Sequence, residues 1–475
     1  MTLNTYFDQH FGVGPSALRK VLDAALSRGG DWADLYFQHS TGMSLSLDDG
    51  EVNRANTGVD LGVGIRVVDG DGTGYAFSED LSLAAMVAAA RTAAGIAAGV
   101  GRPGPADLTP QRLKRWYDTE YDWQGESVQD LLPRLLGMHE RAYAQDSRVQ
   151  QVQASVRCGR KQLLIVDSDG RVSEDSQPSA AYSLSVVMEQ AGKRNSNSRN
   201  LASREPLASF DGARLDGLVD RVLEQTGVLF EARKPPQGEL PVVLAAGASG
   251  ILLHEAIGHG MEADFNRKGV SIFAGRIGEA VAQPFVSIVD DGVQPGQRGS
   301  INVDDEGEVT EETTLVEDGV LRSYLHDRMS ARHYKVKPTG SGRRESFRHA
   351  PLPRMRNTYM RPGSHDPEEL IRGVKRGIYA ETFTNGVVDI GGGDYTFYLK
   401  NGWLIEDGKL TAPIKDANLI GNGPQSLERI SMVGSDLVMD EGGWVCGKEG
   451  QGVPVSIGMP SVLVSKITVG GASDE

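Results

Sequence analysis

Cysteine is nearly absent: Cys158 and Cys446, far apart, are the whole complement of a 475-residue chain. A secreted protein of this size would carry more pairs, so a reducing cytoplasm is the expected compartment and each cysteine needs its own explanation. Long apolar runs are missing as well. The most apolar stretch, Leu81–Val100, is Ala-rich and interrupted by Arg91. It reads as a buried helix, since a membrane span needs about 20 predominantly apolar residues. Met1–Val13 has no basic start followed by an apolar run, so no secretory signal is expected. Positive charge is the minority sign, with 49 Lys and Arg against 64 Asp and Glu, a net −15. A chain of that balance is repelled by phosphate backbones, which argues against nucleic acid as a partner.

Glycine is abundant, at 59 residues, and hydrophobic residues reach 39%, enough for real cores with many tight turns. Two stretches share one order of elements. In the first, Leu18, Val21, Leu22 and Leu26 predict a helix, then alternation at Met43–Leu47 and Val63–Val67 predicts strands. Asp49-Gly50 and Asp69-Gly70 supply turns, and the Ala-rich helix closes the unit. In the second, a helix over Leu131–Met138 precedes strands near Val149–Val156, Leu163–Val166 and Leu184–Met188, and a helix from about Leu215 to Ala232. Residues 1–233 are therefore expected to form an N-terminal α+β domain with antiparallel sheet and packed helices, built by a loose duplication.

Lys234-Pro235-Pro236-Gln237-Gly238 marks the boundary, because two prolines stop the preceding helix. Beyond it, Leu240–Ala246 reads as a strand leading into a short helix. Strand signals then dominate, including Thr313–Val316, Phe397–Leu399, Leu404–Ile405 and Val453–Ile457. Turns are expected at Asp291-Gly292, Asp318-Gly319, Asn401-Gly402 and Asp407-Gly408. The fold class is α+β, with residues 234–475 a C-terminal β-rich, barrel-like domain carrying the short helix.

That helix holds His254-Glu255-Ala256-Ile257-Gly258-His259. Imidazole is a good zinc ligand, and a catalytic site wants three protein ligands and an open position. The familiar spacing, His-Glu-x-x-His, sets both rings on one helical face. Here one residue is extra, and at about 100° per residue the second ring is carried about 140° away. A π-bulge restores alignment, and Gly258 or Gly260 is placed to relax the turn. Three residues qualify as third ligand. Glu262 would share the His259 face if the helix continued, and Asp264 is close by. Cys446 is remote but sits in a Gly-rich polar segment, where Lys448 is placed to lower its pKa. Cys158, at the end of a strand-like run, reads as a core residue.

Several blocks together resemble a known family. His254–Gly260, Pro353-Arg354-Met355-Arg356-Asn357-Thr358, Leu404-Ile405-Glu406-Asp407-Gly408-Lys409, Asn418–Pro424 and Cys446-Gly447-Lys448-Glu449-Gly450-Gln451 are similar to the TldD branch of the TldD/PmbA peptidases. The resemblance implies a zinc metallopeptidase with ligands His254, His259 and Cys446, and with Glu255 as the catalytic carboxylate that activates a zinc-bound water. It implies an unfolded or extended peptide as substrate and a PmbA/TldE-like paralogue, which lacks the metal residues, as heterodimer partner.

A homodimer and an iron or other divalent ion remain open in the sequence. The extended substrate is expected along an exposed strand edge. The Arg- and His-rich stretch Arg328–Arg361, with Thr339-Gly340-Ser341-Gly342 at its centre, reads as a solvated, mobile segment or a contact for substrate. Competing functions are a peptide-binding, chaperone-like module with a structural metal, and a gyrase-linked regulator.

Overall fold

The computed structural model describes residues 3–96, 104–121 and 123–471. The N-terminal half is built on one seven-stranded sheet. Its long strands run in the order Gly72–Ser78, Glu51–Asp69, Trp32–Asp48, Val149–Asp167, Arg171–Gln190 and Lys193–Ser203, all antiparallel. The short Thr109–Pro110 strand pairs parallel with Arg171-Val172. The order of elements is repeated. Helix Pro15–Leu26, three strands and helix Leu83–Ile96 are followed by helix Val128–Gln145, three strands and helix Gly212–Val228. The two meanders join where Gly42 faces Gly159 in the central strand pair.

Alternation along the strands explains the layers. Ala33, Leu35 and Phe37 bury against the first pair of helices, while Met43, Leu45 and Leu47 bury against the second. Tyr36, Leu163 and Ile165 point to the opposite face and meet Val303 and Phe347 of the C-terminal half. Asp49-Gly50 adopts the left-handed geometry of a two-residue hairpin, with φ of 51° and 85°. Residues 97–100 of the expected Ala-rich helix lie outside the described residues.

Several expectations change. Asp291-Gly292 is no hairpin turn: Asp291 ends the strand Ile288–Asp291, and neither residue has a positive φ. The segments Val149–Val156 and Leu163–Val166 belong to one strand, Val149–Asp167, because neighbours on both sides pair along nearly its whole length. Asn401-Gly402 is no turn; it lies inside the strand Asp394–Glu406, at a bulge against Arg376–Val388. A Cβ at Gly402 would sit 2.7 Å from the Tyr379 carbonyl oxygen, so the glycine serves close backbone approach.

In the C-terminal half, five strands close into a barrel: Gly238–Leu244, Val462–Gly471, Ala417–Asn422, Asp394–Glu406 and Arg376–Val388, which returns to the first. Closure removes the exposed edges that an open sheet would leave. A second, six-stranded sheet packs beside it, with one parallel pair between Asn357–Met360 and Ser456–Met459. One apolar core spans the barrel, this sheet and the short helix between them, through Leu253, Ile257, Phe397 and Ile457. No helix among the described residues is long and apolar enough to cross a membrane.

Candidate metal centre

The first barrel strand ends at Leu244, and a turn with Gly247 at φ 86° leads into the short helix. One α-turn, Gly250–Leu253, passes into a π-turn over His254–Gly258 and then a 3-10 turn over His259–Met261. The His259 N–H donates to the His254 carbonyl, five residues back. This widened turn is the correction that the five-residue spacing demands. It brings the two rings to 5.1 Å between centroids, nearly perpendicular at 83°.

The glycines act differently from expectation. Gly258 has ordinary helical φ of −60°, so it does not relax the turn. It makes room instead: a Cβ there would lie 2.0 Å from Met355 Sδ, and one at Gly260 would lie 2.8 Å from Phe273. Gly423, the first residue of the helix Gly423–Glu428, likewise allows close approach to the Ala256 carbonyl, where a Cβ would lie 2.3 Å away. The separate sequence blocks thus meet around one helical turn.

Cys446 arrives on a hairpin, Val445–Lys448 with Gln451–Pro454, turned at Glu449-Gly450 with φ of 49° and 74°. It is not in a polar loop. Its side chain is 1% exposed and belongs to the large apolar core. Cys446 Sγ lies 3.6 Å from His259 Nε2, and donor atoms of His254, His259 and Cys446 all fall within 4.8 Å of one another. Burial alone would raise the thiol pKa, but His254 and His259 override it and hold it well below the usual range. Arg354 Nη2 donates to the Cys446 carbonyl at 2.5 Å and fixes the hairpin from behind. Cys158 is free and buried in the N-terminal core, as expected, and burial pushes its thiol up to about 11.

The other sequence candidates surround these donors. Glu255 keeps 22% of its side chain exposed, with Oε2 3.9 Å from His259 Nε2. Glu262 does not continue the helix; its ψ of 127° is extended. Its carboxylate instead meets His259 Nδ1 at 3.0 Å. Asp264 is tied to Lys448 at 2.7 Å. Lys448 also holds Glu262, at 3.1 Å, and the Pro353 carbonyl. Lys448 therefore neutralises buried carboxylates, and it is the histidines that lower the Cys446 thiol pKa. Burial would raise the Glu262 pKa, yet Lys448 and His259 carry it down to about 2. A charged Glu262 fixes a proton on Nδ1 and leaves Nε2 of His259 turned toward the thiol, the arrangement that orients a ligating histidine.

The donor set fits a metal ion. Two imidazoles and a thiolate suit zinc and neighbouring transition metals, and His254 Nδ1 is buried without a hydrogen-bond partner.

The stretch Arg328–Arg361 corrects a further expectation. Arg343, Arg344, Arg354 and Arg356 are buried. Arg356 binds Asp290 at 2.7 Å, and Arg343 donates to the Met355 and Pro454 carbonyls. These four side chains brace the walls of the site and are not solvated, whereas Arg332 and Arg361 of the same stretch stay exposed. Sequence reading missed this scaffold because its acidic and carbonyl partners lie in distant segments.

Buried histidines and a thiolate beside a carboxylate with access to solvent mark, as a class, a metal-dependent hydrolase. The comparisons with known proteins make the class definite. Sequence models described as PmbA/TldA metallopeptidase domain 1, central domain and C-terminal domain match residues 33–97, 121–230 and 237–471. The chain is 40% identical over 96% of its length, and 96% of the other's, to a Haemophilus influenzae protein named metalloprotease TldD homolog. A Saccharolobus solfataricus zinc metalloprotease TldD homolog is 34% identical over 54% of this chain and 56% of its own. Among solved structures, a Thermotoga maritima protein described as a candidate modulator of a DNA gyrase superposes with a TM-score of 0.78, at 23% identity, over 96% of this chain and all of the other. TldE from Thermococcus kodakarensis gives 0.75 at 18%, with 96% of this chain and all of the other covered.

The chain belongs to the PmbA/TldD metallopeptidase family. It is a metal-dependent hydrolase acting on peptide bonds.

Proposed function

We propose that His254, His259 and Cys446 hold one zinc ion and that Glu255 is the general base for hydrolysis of unfolded or extended peptides. The observation that carries this reading is the convergence of the three buried donors within 4.8 Å, with Glu255 keeping solvent access where the neighbouring acids Glu262 and Asp264 are buried. When bound, the ion supplies Lewis acidity toward the scissile carbonyl and the attacking water. Glu255 takes a proton from that water and delivers it to the leaving amine. Glu262 holds the His259 ring in place, and Arg354 holds the Cys446 hairpin. The Val445–Lys448 strand pairs on one side only, with Gln451–Pro454, and offers its other edge to an extended peptide.

The same reading takes residues 1–233 and 234–475 as two domains, a PmbA/TldE-like paralogue as the partner subunit, and the cytoplasm as the compartment. The shared fold with TldE supports the partner, and two free, separately buried cysteines support the compartment.

Metal analysis alongside peptide cleavage tests the proposal. Wild-type protein is expected to carry about one zinc per site and to cleave an unfolded test peptide, with cleavage blocked by a hydroxamate chelator. Cys446→Ala is expected to lose both metal and activity. Full zinc content in Cys446→Ala would remove the cysteine from the ligand set.

A further inference from the structure

A cavity of about 430 Å³ lies between the N-terminal sheet and the C-terminal half, against the back of the Cys446 hairpin. Its floor is bare backbone. Gly58, Gly42 and Gly159 are in register across three adjacent strands, with Ser179 next in line. No side chain rises from the three glycines, and a Cβ at Gly58 would meet nothing within 4 Å. Gly58 and Val59 are exposed, so the cavity opens to solvent on that side.

Its walls are cationic. Lys161, Arg204 and Arg343 line it. Their hydrogen bonds run to backbone carbonyls: Lys161 to Glu345, Arg204 to Pro178, and Arg343 to Met355 and Pro454. Of the two acids of the cavity, Asp60 is committed elsewhere, while Asp305 partly offsets Lys161 and Arg343. Asp60 is held by both terminal nitrogens of Arg348, and Asp305 accepts the Arg344 backbone N–H. Arg204 and Arg343 are nearly fully buried, and Arg204 Nε has no partner. Burial and the mutual repulsion of these cations depress them: Lys161 falls below its ordinary pKa, and Arg343 comes down to about 10 despite Asp305. Just behind, burial and the Arg204 and Arg157 charges bring Arg298 down to about 10. Cations nonetheless outnumber the acids that offset them, and excess buried charge is costly unless a ligand supplies the opposite charge.

We propose that this cavity is a carboxylate-binding subsite for the peptide substrate, taking either the chain-terminal carboxylate or an Asp or Glu side chain. Position supports a substrate anion rather than an unrelated one. Arg343 links the cavity to the metal centre, since Pro454, whose carbonyl it binds, pairs with Val445 beside Cys446. The bare glycine floor suits an extended backbone approaching the sheet. A carboxylate there would accept charge-assisted hydrogen bonds from guanidinium groups that no protein carboxylate engages. The inference takes its substrate class from the peptidase reading.

Binding without turnover tests it, in full-length metal-loaded protein carrying Glu255→Gln. By fluorescence anisotropy, an unfolded labelled peptide with a free C-terminus should bind about tenfold tighter than its C-terminal amide, the scale of a charge-assisted hydrogen bond. A second pair, both amidated, carries Glu or Gln at one internal position. Whichever pair shows the contrast identifies the source of the carboxylate. Lys161→Gln should erase most of the contrast, and Lys161→Arg should keep it. Equal affinity for all four peptides overturns the proposal, as does a contrast undiminished in Lys161→Gln. Failure of wild-type protein to cleave any peptide sinks the peptidase reading instead, and leaves the binding contrast to decide the cavity.

Discussion

The Nδ1 atom of His259 lies 3.0 Å from Oε2 of Glu262, a carboxylate wholly buried behind the ring. The contact assigns the two nitrogens of His259 different tasks, because Nε2 faces the Cys446 thiol at 3.6 Å. It also explains why a buried acid is tolerated: Lys448 at 3.1 Å supplies its counter-charge.

Glu262→Gln keeps the shape and an accepting oxygen but removes the charge. Metal affinity is expected to fall by about 10- to 100-fold, the usual effect of losing a carboxylate that orients a ligating histidine. Competition with a chromophoric chelator measures this. Unchanged affinity would show that the charge on Glu262 does not tune the site.

Glu255→Gln separates proton transfer from metal binding. Peptide cleavage is expected to drop by about 10²–10⁴-fold, the range for a lost general base. Metal content should stay at the wild-type level, since Glu255 is outside the donor cluster. Wild-type turnover by this variant would take Glu255 out of the mechanism.

Gly258→Ala places a methyl group where Met355 Sδ stands, 2.0 Å from the ideal Cβ. A loss of about 1–3 kcal/mol is expected from overpacking, together with reduced metal content as the π-turn shifts. Adding Met355→Ala should recover part of the loss, which a double-mutant cycle in urea detects. Strictly additive effects would mean that Met355 is not the obstacle.

His326 gives the fold a pH dependence apart from the metal site. Its ring is 4% exposed, its Nδ1 has no partner, and burial lowers its pKa from 6.5 to about 4. Above the unfolded pKa both states are neutral and nothing changes. As pH falls from 6.5 to 4 the unfolded chain takes a proton that the folded chain refuses, so stability is lost across that window, by up to about 3 kcal/mol. His326→Phe should flatten the slope of the urea midpoint between about pH 7 and pH 5. An unchanged slope would place the acid sensitivity in other groups.

Much of the local structure was legible in the sequence. The five-residue interval between His254 and His259 demanded a widened turn, and the chain forms one. Asp-Gly pairs at 49, 318 and 407 turn hairpins because both residues reach positive φ there. The barrel-like character of the second half followed from alternating runs, although barrel closure depends on Arg376–Val388 finding both the first barrel strand and Asp394–Glu406. Asn401-Gly402 misled because its turn chemistry is overridden in the folded chain: buried Asn401 bonds Thr382, Asn197 and the Gln225 carbonyl.

The arginines of Arg328–Arg361 show where sequence reading stops. Charge in a polar stretch ordinarily means solvent. Here Arg356 reaches Asp290, 66 residues away, and Arg344 reaches Asp34, 310 residues away, so the same charges become buried struts. Turns, strand periodicity and the distorted metal helix are set by neighbours along the chain, and the sequence by itself determined them. The meeting of Cys446 with His259 across 187 residues, the burial of Glu262 behind the ring and the cluster of cations around the cavity were decided only by the tertiary structure. Each is a relation between remote segments, and its energy exists only once the intervening chain has folded to exclude water from both partners.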